Sequence, residues 1–188
     1  LSLHDALPIL KQSLGGPIVT TLLNRLRVWD TEAAKRPDIY VANSKEVQER
    51  IKKYYERDAV ILWPPVDVNR FTPGVIPVSA RKYYVMTTAL TPFKRVDIAI
   101  RTFSKLGKNL KIIWAGEQES ELRKIAWPTI EFLGRVDDAE VVKAYQAARG
   151  FLMPQKEDAG IAPIEAMAAG LPVFGQAAGW LLETNIDG

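Results

Sequence analysis

A chain of 188 residues holds one domain or two small ones, and 47% hydrophobic residues supply a real core, which excludes a disordered polymer. The net charge is only +3, and the 25 basic side chains are interspersed with 22 acids rather than gathered in one block, so a nucleic-acid partner has little support. With no cysteine and one histidine, the composition excludes a disulfide framework, thiolate or His-rich metal sites and a Ser-His nucleophile of ordinary type.

The first residues read oddly. His4-Asp5-Ala6-Leu7-Pro8-Ile9 matches the translation of CAC GAC GCT CTT CCG ATC, the end of a widely used sequencing adaptor, and no initiator Met precedes it. Residues 1–9 are therefore expected to be an artefact joined to a gene fragment, with no role for His4; an ordinary amphipathic leader is the alternative. No signal-peptide pattern is visible, and no apolar run approaches the ~20 residues that span a bilayer.

From Gly15-Gly16-Pro17 onward the apolar spacing of Val19, Leu22, Leu23, Leu26 and Trp29 predicts a helix over 18–30. Pro37-Asp38 punctuates, and 39–42 reads as a short buried strand. Ser44 suits the cap of a helix with Val47, Ile51 and Tyr54 or Tyr55 on one face and a solvated charged face opposite. A second strand, 60–63, stops at Pro64-Pro65. Residues 72–80, with two prolines and a glycine, read as a linker.

Beyond the linker, apolar strand patterns at 83–86, 110–114, 130–133, 151–153 and 172–174 alternate with helix patterns at 94–106, 120–126, 138–148 and 163–169. This alternation implies an α/β fold with a mainly parallel, Rossmann-like sheet covered on both faces. No Gly-x-Gly-x-x-Gly fingerprint is present, so a nicotinamide or flavin cofactor is poorly supported.

Two stretches carry chemistry. In the first, the strand Phe151-Leu152-Met153 is closed by Pro154, a loop with Glu157, Asp158 and Gly160 follows, and a helix begins near Pro163. Ligands of open α/β sheets sit beyond the strand ends, where a helix start presents free N–H groups to an anion and a glycine lets backbone come close. Glu157 and Glu165, the latter expected in the first helical turn, can then face one crevice and grip hydroxyls beside a phosphate; two acids near a helix start also serve as simple dipole partners. In the second stretch, Thr91-Pro92 reads as cap and first residue of a helix that holds Lys94 and Arg95 in its first turn, where the dipole disfavours cations. Either Asp97 and solvent screen two surface charges, or the pair faces a bound diphosphate.

Glu157 through Glu165, with the following Ala166-Met167-Ala168-Ala169-Gly170-Leu171-Pro172, resembles the Glu-x7-Glu motif of the retaining family 4 glycosyltransferases of GT-B fold. Leu90-Thr91-Pro92-Phe93-Lys94-Arg95-Val96-Asp97 resembles the same family's Lys-Arg segment, and 40–44 and 64–71 resemble the end of its first domain. The resemblance covers about residues 17–188. It implies that Glu157 contacts the donor sugar, Glu165 the nucleotide ribose, and the backbone of Gly160 and Ile161 the phosphate, while Lys94 binds the diphosphate; with Ala89 where the family has an Arg, either Arg95 shares that task or donor affinity is reduced. Glu157 and Lys94 would be the catalytic pair. Gly116-Glu117 and Gly134, Arg135 and Val136 would line the base pocket. Gly179 and Leu181 to Thr184, including Glu183, would lie near the donor. Asn43-Ser44 would lie near the interdomain cleft, although a turn and helix cap explain those residues equally well. Three positions depart from the pattern: Ala89 replaces an Arg, Ala159 a Phe, and Trp180 a glycine, which is expected to narrow the pocket.

The implied activity is transfer of a hexosyl unit, by guess mannosyl, from a nucleotide-diphosphate sugar to a glycan or lipid-linked acceptor. Transfer is front-face with retention, aided by the leaving diphosphate, and needs no metal or other cofactor. The alternatives are a non-catalytic sugar-nucleotide-binding module, a phosphorylase or a sugar-phosphate synthase of similar fold. The domain expectation is a remnant of the acceptor-binding domain at 10–71, the linker at 72–80 and a donor domain at 81–188 continuing past Gly188. The implied setting is cytoplasmic, with room for a peripheral contact to the inner membrane face. The 188 residues alone are expected to be inactive, and poorly soluble because the 18–30 helix and the two early strands keep uncovered apolar faces.

Overall fold

The computed structural model describes residues 16–185, so the expectations for 1–9, for His4 and for Asp187-Gly188 lie outside the described residues. The chain divides into two compact units, Leu1–Trp63 and Pro64–Gly188.

In the first unit, α1 (Pro17–Ala33) starts with proline at its first position, where a missing N–H costs nothing. It is followed by β1 (Tyr40–Ala42), α2 (Lys45–Tyr55) and β2 (Ala59–Ile61), a parallel βαβ with Tyr40 opposite Ala59. Ser44 caps α2 as its residue type predicts, its Oγ accepting from the Val47 N–H at 3.1 Å. The Tyr55 hydroxyl donates to Asp30 Oδ2 at 2.8 Å and the Tyr40 hydroxyl to the Ala34 carbonyl at 2.7 Å, which ties both α2 and β1 to α1.

The second unit contains β3 (Tyr83–Thr87), α3 (Val96–Leu106), β4 (Asn109–Ile113), α4 (Glu119–Ile125), β5 (Ile130–Gly134), α5 (Asp138–Ala147), β6 (Ala148–Met153), α6 (Ile161–Ala168), β7 (Val173–Gly175) and α7 (Leu181–Thr184). Its strands are parallel and ordered β5-β4-β3-β6-β7. Side chains alternate between two cores, as strand geometry requires. Val85, Ile113, Phe151 and Met153 pack with α5, α6 and Leu181 on one face. Met86, Leu110, Ile112 and Leu152 pack with α3 and α4 on the other.

The division at Trp63/Pro64 differs from the expected boundary at Phe71 and linker at 72–80. Phe71 is buried in the first core and packs on Tyr145 with ring centroids 5.7 Å apart. Gly74 lies so close to α5 that an added Cβ would stand 2.6 Å from the Gln146 carbonyl oxygen. Buried Arg81 donates to the carbonyls of Ile76 and Ala148, each at 2.9 Å, fastening the segment to the start of β6. Proline and glycine content made 72–80 read as a spacer, whereas side chains on either side of it pin it down.

Candidate functional site

The sheet order reverses between β3 and β6, and at such a switch point the loops leaving the two strands part and open a crevice at their carboxyl ends. A cavity of about 350 Å³ lies there, lined by Thr87, Thr88 and Ala89 after β3, by the end of β6, and by Lys94, Gln155, Glu157 and residues 159–163.

Lys94 reaches the cavity from a 3₁₀ turn, Pro92–Lys94, not from the first turn of a helix. Arg95 takes the left-handed conformation (φ 51) as the N-cap residue of α3, which begins only at Val96, so the two cations stand just ahead of the first helical turn and not within it. Thr91 makes no cap hydrogen bond, and its Oγ1 is buried without a partner. The two cations part here. Lys94 Nζ bonds Glu157 Oε2 at 2.5 Å, with side-chain exposures of 18% and 23%, while half-exposed Arg95 turns to Asp97 at 3.4 Å and does not line the cavity.

Glu157 is also held by Gln155, whose Nε2 donates to the same Oε2 at 3.1 Å. Sequence reasoning missed Gln155. The available signal was a polar residue directly after the strand-ending Pro154, where a side chain must face either the crevice or the core.

The loop carrying Glu157 is fixed from below. Trp180, only 1% exposed, donates its backbone N–H to the Glu157 carbonyl at 3.0 Å and its indole N–H to the Gly160 carbonyl at 2.9 Å. It therefore braces the loop and is absent from the cavity lining, correcting the expectation that it narrows the pocket. Gly179 must be glycine on two counts: its φ is +61, and an added Cβ would lie 2.6 Å from the Glu157 carbonyl oxygen. Glu183 sits on α7, a four-residue helix beyond this brace.

Gly160 is the N-cap residue of α6, with no side-chain cap, and Ile161 opens the helix; both line the cavity, so the uncapped N–H groups of the first turn stand beside Lys94 and Glu157. Because α6 begins two residues before Pro163, Glu165 falls in its second turn and outside the cavity lining, roughly 6 Å of helix rise beyond Ile161. Burial pushes the Glu165 carboxyl above its ordinary range, with Arg70 pulling it back. Burial likewise pushes up the neighbouring Tyr145 hydroxyl, and the Glu165 charge adds to the effect. That hydroxyl donates to Thr87 Oγ1 at 3.0 Å.

The remaining predicted residues lie around the β4 and β5 ends, outside the cavity lining. Gly134 closes β5 with φ +68, and its carbonyl accepts from the Trp114 N–H at 2.8 Å. The Arg135 guanidinium lies 5.2 Å from the centroid of the Trp114 ring, and Val136 packs against the first core. Glu117 is exposed on the β4–α4 loop. Beside it, Gly116 meets Leu90 backbone to backbone, where a Cβ would come within 2.5 Å of the Leu90 carbonyl oxygen. This clasp steadies the loop that leads to Lys94. Ala89 and Ala159, two of the departures from the expected pattern, both line the cavity. Among the described residues no group of three or more His, Cys, Asp or Glu is placed to hold a metal ion, and no helix is long and apolar enough to cross a membrane.

A partly buried cation, a carboxylate with two donors and an open helix start around one crevice can hold an anion beside a hydroxylated group. The chain is similar to a GDP-mannose-dependent monoacylated alpha-(1-6)-phosphatidylinositol monomannoside mannosyltransferase of Corynebacterium glutamicum, at 30% identity with 63% of this chain and 38% of the relative covered. Among solved structures it resembles Anabaena Alr3699/HepE in complex with UDP and glucose, with TM-score 0.74, 20% identity, and 88% of this chain and 51% of that one covered. It also resembles a sucrose-phosphate synthase from Thermosynechococcus elongatus, with TM-score 0.70, 19% identity and coverages of 85% and 46%. These likenesses show the GT-B type of fold, and the chain spans between about a third and a half of the proteins it matches. Residues 75–188, more than half of the sequence, match the family model described as glycosyl transferases group 1, and to that family the chain belongs.

Proposed function

We propose that the second unit is the donor-binding half of a retaining transferase that moves a hexosyl unit, most simply mannosyl, from a nucleotide-diphosphate sugar to a glycan or lipid-linked acceptor. The observation that carries the reading is the Lys94–Glu157 pair in the cavity at the β3/β6 switch point, beside the open start of α6. The 30% identity to a GDP-mannose-dependent mannosyltransferase supports the choice of sugar.

In this reading the donor diphosphate takes the Lys94 ammonium and the N–H groups of Gly160 and Ile161, and the hexose hydroxyls take the Glu157 carboxylate. Charge that develops on the departing diphosphate meets a cation already aimed at it, so little reorganisation is needed. Glu165, half-buried one turn further along α6, holds the ribose hydroxyls, and the Arg135–Val136 backbone meets the base. Arg95, facing Asp97, supports the field without a direct contact. Glu157 and Lys94 bind and stabilise; no covalent intermediate on the protein is invoked, and no metal or other cofactor.

Equilibrium titration of the chain with GDP-mannose, UDP-glucose and ADP-glucose tests the donor assignment: one should bind, and Lys94→Ala and Glu157→Ala should each weaken it at least tenfold, about 1.4 kcal/mol. Failure of all three to bind would sink the reading. In the full-length protein, retention at the transferred carbon is checked by the anomeric configuration of the product. Donor binding without transfer there would favour a binding module.

A further inference from the structure

We propose that Gln155 reads a hydroxyl of the donor hexose, an inference that rests on the nucleotide-sugar reading above and names a residue it does not use. Gln155 is only 7% exposed, yet it lines the cavity beside Lys94 and Glu157. Its Nε2 donates to Glu157 Oε2 at 3.1 Å, the oxygen that Lys94 also holds. That bond fixes the orientation of the amide, because turning it over would set a carbonyl oxygen against a carboxylate oxygen. The other end of the amide, Oε1, is then left buried with no hydrogen-bond partner.

A sealed, unmet acceptor destabilises a folded protein, and a leucine would occupy the same space without that cost. The arrangement makes sense where a ligand supplies the missing donor. Phosphate oxygens and ionised carboxylates only accept, so the diphosphate cannot satisfy Gln155, whereas a sugar hydroxyl donates as well as accepts. Binding also keeps every charge partnered. The diphosphate offers the Lys94 ammonium a second anion, and as the ammonium leaves, Glu157 retains the Gln155 N–H while hexose hydroxyls take the vacated position on the carboxylate and the unfilled one on Gln155 Oε1. Gln155 therefore couples arrival of the diphosphate to recognition of the sugar attached to it.

The test compares the chain with its Gln155→Leu variant in titrations with GDP, GDP-mannose and the singly deoxygenated forms of GDP-mannose, with the UDP and UDP-glucose series in parallel. The variant should bind the nucleoside diphosphate as the parent does and lose about tenfold in affinity for the sugar nucleotide. One deoxygenated donor should be penalised in the parent and no longer penalised in the variant, which identifies the hydroxyl. Equal weakening of diphosphate and sugar nucleotide, or identical deoxygenation penalties in both proteins, overturns the role of Gln155 while leaving the donor assignment intact. If the parent binds neither sugar nucleotide, the donor reading fails and this inference falls with it.

Discussion

Replacing Lys94 or Arg95 with alanine separates two cations that stand side by side in the sequence. Lys94 holds a partly buried carboxylate inside the cavity, and charge-assisted contacts of that kind contribute about 1.5–3 kcal/mol. Lys94→Ala should therefore weaken nucleoside-diphosphate binding by roughly 10- to 150-fold, whereas Arg95→Ala, which removes a half-exposed pair worth under about 1 kcal/mol, should change it less than about fivefold. Equal losses in the two titrations would mean that the 3₁₀ turn does not sort the pair as described. Glu165 makes a second prediction, read by melting against pH. Its carboxyl is raised by burial, so the protonated form is favoured in the folded state; that contribution is fully present below the unfolded value and is lost as pH rises through the folded value. Glu165→Gln, which cannot ionise, should raise the melting temperature relative to the parent at neutral pH, and the gain should disappear below about pH 4. A gain that persists in acid would assign the effect to packing instead.

The loop from Pro154 to Gly160 and the helix pair around it show at the level of elements what could be read in advance. Strands β3 to β7 and helices α3 to α6 were legible because their apolar residues repeat at period two or about 3.6, and because Gly107 and the turns between them stop each run. The turn at Pro92–Lys94 was not legible. Pro92 is as good an opening for a helix as for a 3₁₀ turn, and only the left-handed backbone of Arg95, which its residue type does not announce, chooses between them. The start of α6 was placed two residues late because Pro163 is acceptable anywhere in a first turn. Gln155 was invisible as a site residue, and Trp180 was read as narrowing the pocket rather than as a brace, for a different reason: their roles depend on what lies across the cavity and under the loop. Gly179→Ala tests the brace. It combines a positive φ with a 2.6 Å approach to the Glu157 carbonyl, so it should destabilise the chain by about 1–3 kcal/mol in denaturant unfolding and weaken donor binding together. Loss of stability with unchanged binding would show that the loop does not depend on it.

At the scale of the whole molecule the two units are unequal. Among the described residues the first unit buries Leu23, Ala34, Ala42 and Ile51, while the second encloses two full clusters on either side of a five-stranded sheet. A two-stranded sheet of three residues per strand is marginal by itself. In the same unit Leu22, Val28, Trp29, Val41, Val60, Leu62 and Trp63 are each more than half exposed. Amides of β1 and β2 should therefore exchange with solvent well before those of β3, β4 and β6, which hydrogen-exchange mass spectrometry can resolve. The exposed apolar surface should also drive association that grows with concentration, visible by light scattering, and Val60→Thr with Leu62→Gln should reduce it. Uniform protection across both units, or a monomer at every concentration, would contradict this division of stability.

The burial of Trp180 has a practical consequence. The other four tryptophans, at positions 29, 63, 114 and 127, are 61%, 52%, 40% and 60% exposed, so under an aqueous quencher such as iodide the surviving short-wavelength emission comes from the one indole bonded to Gly160. The chain thus carries an intrinsic optical gauge whose colour and lifetime follow the backbone on which Glu157 rides, without any attached label.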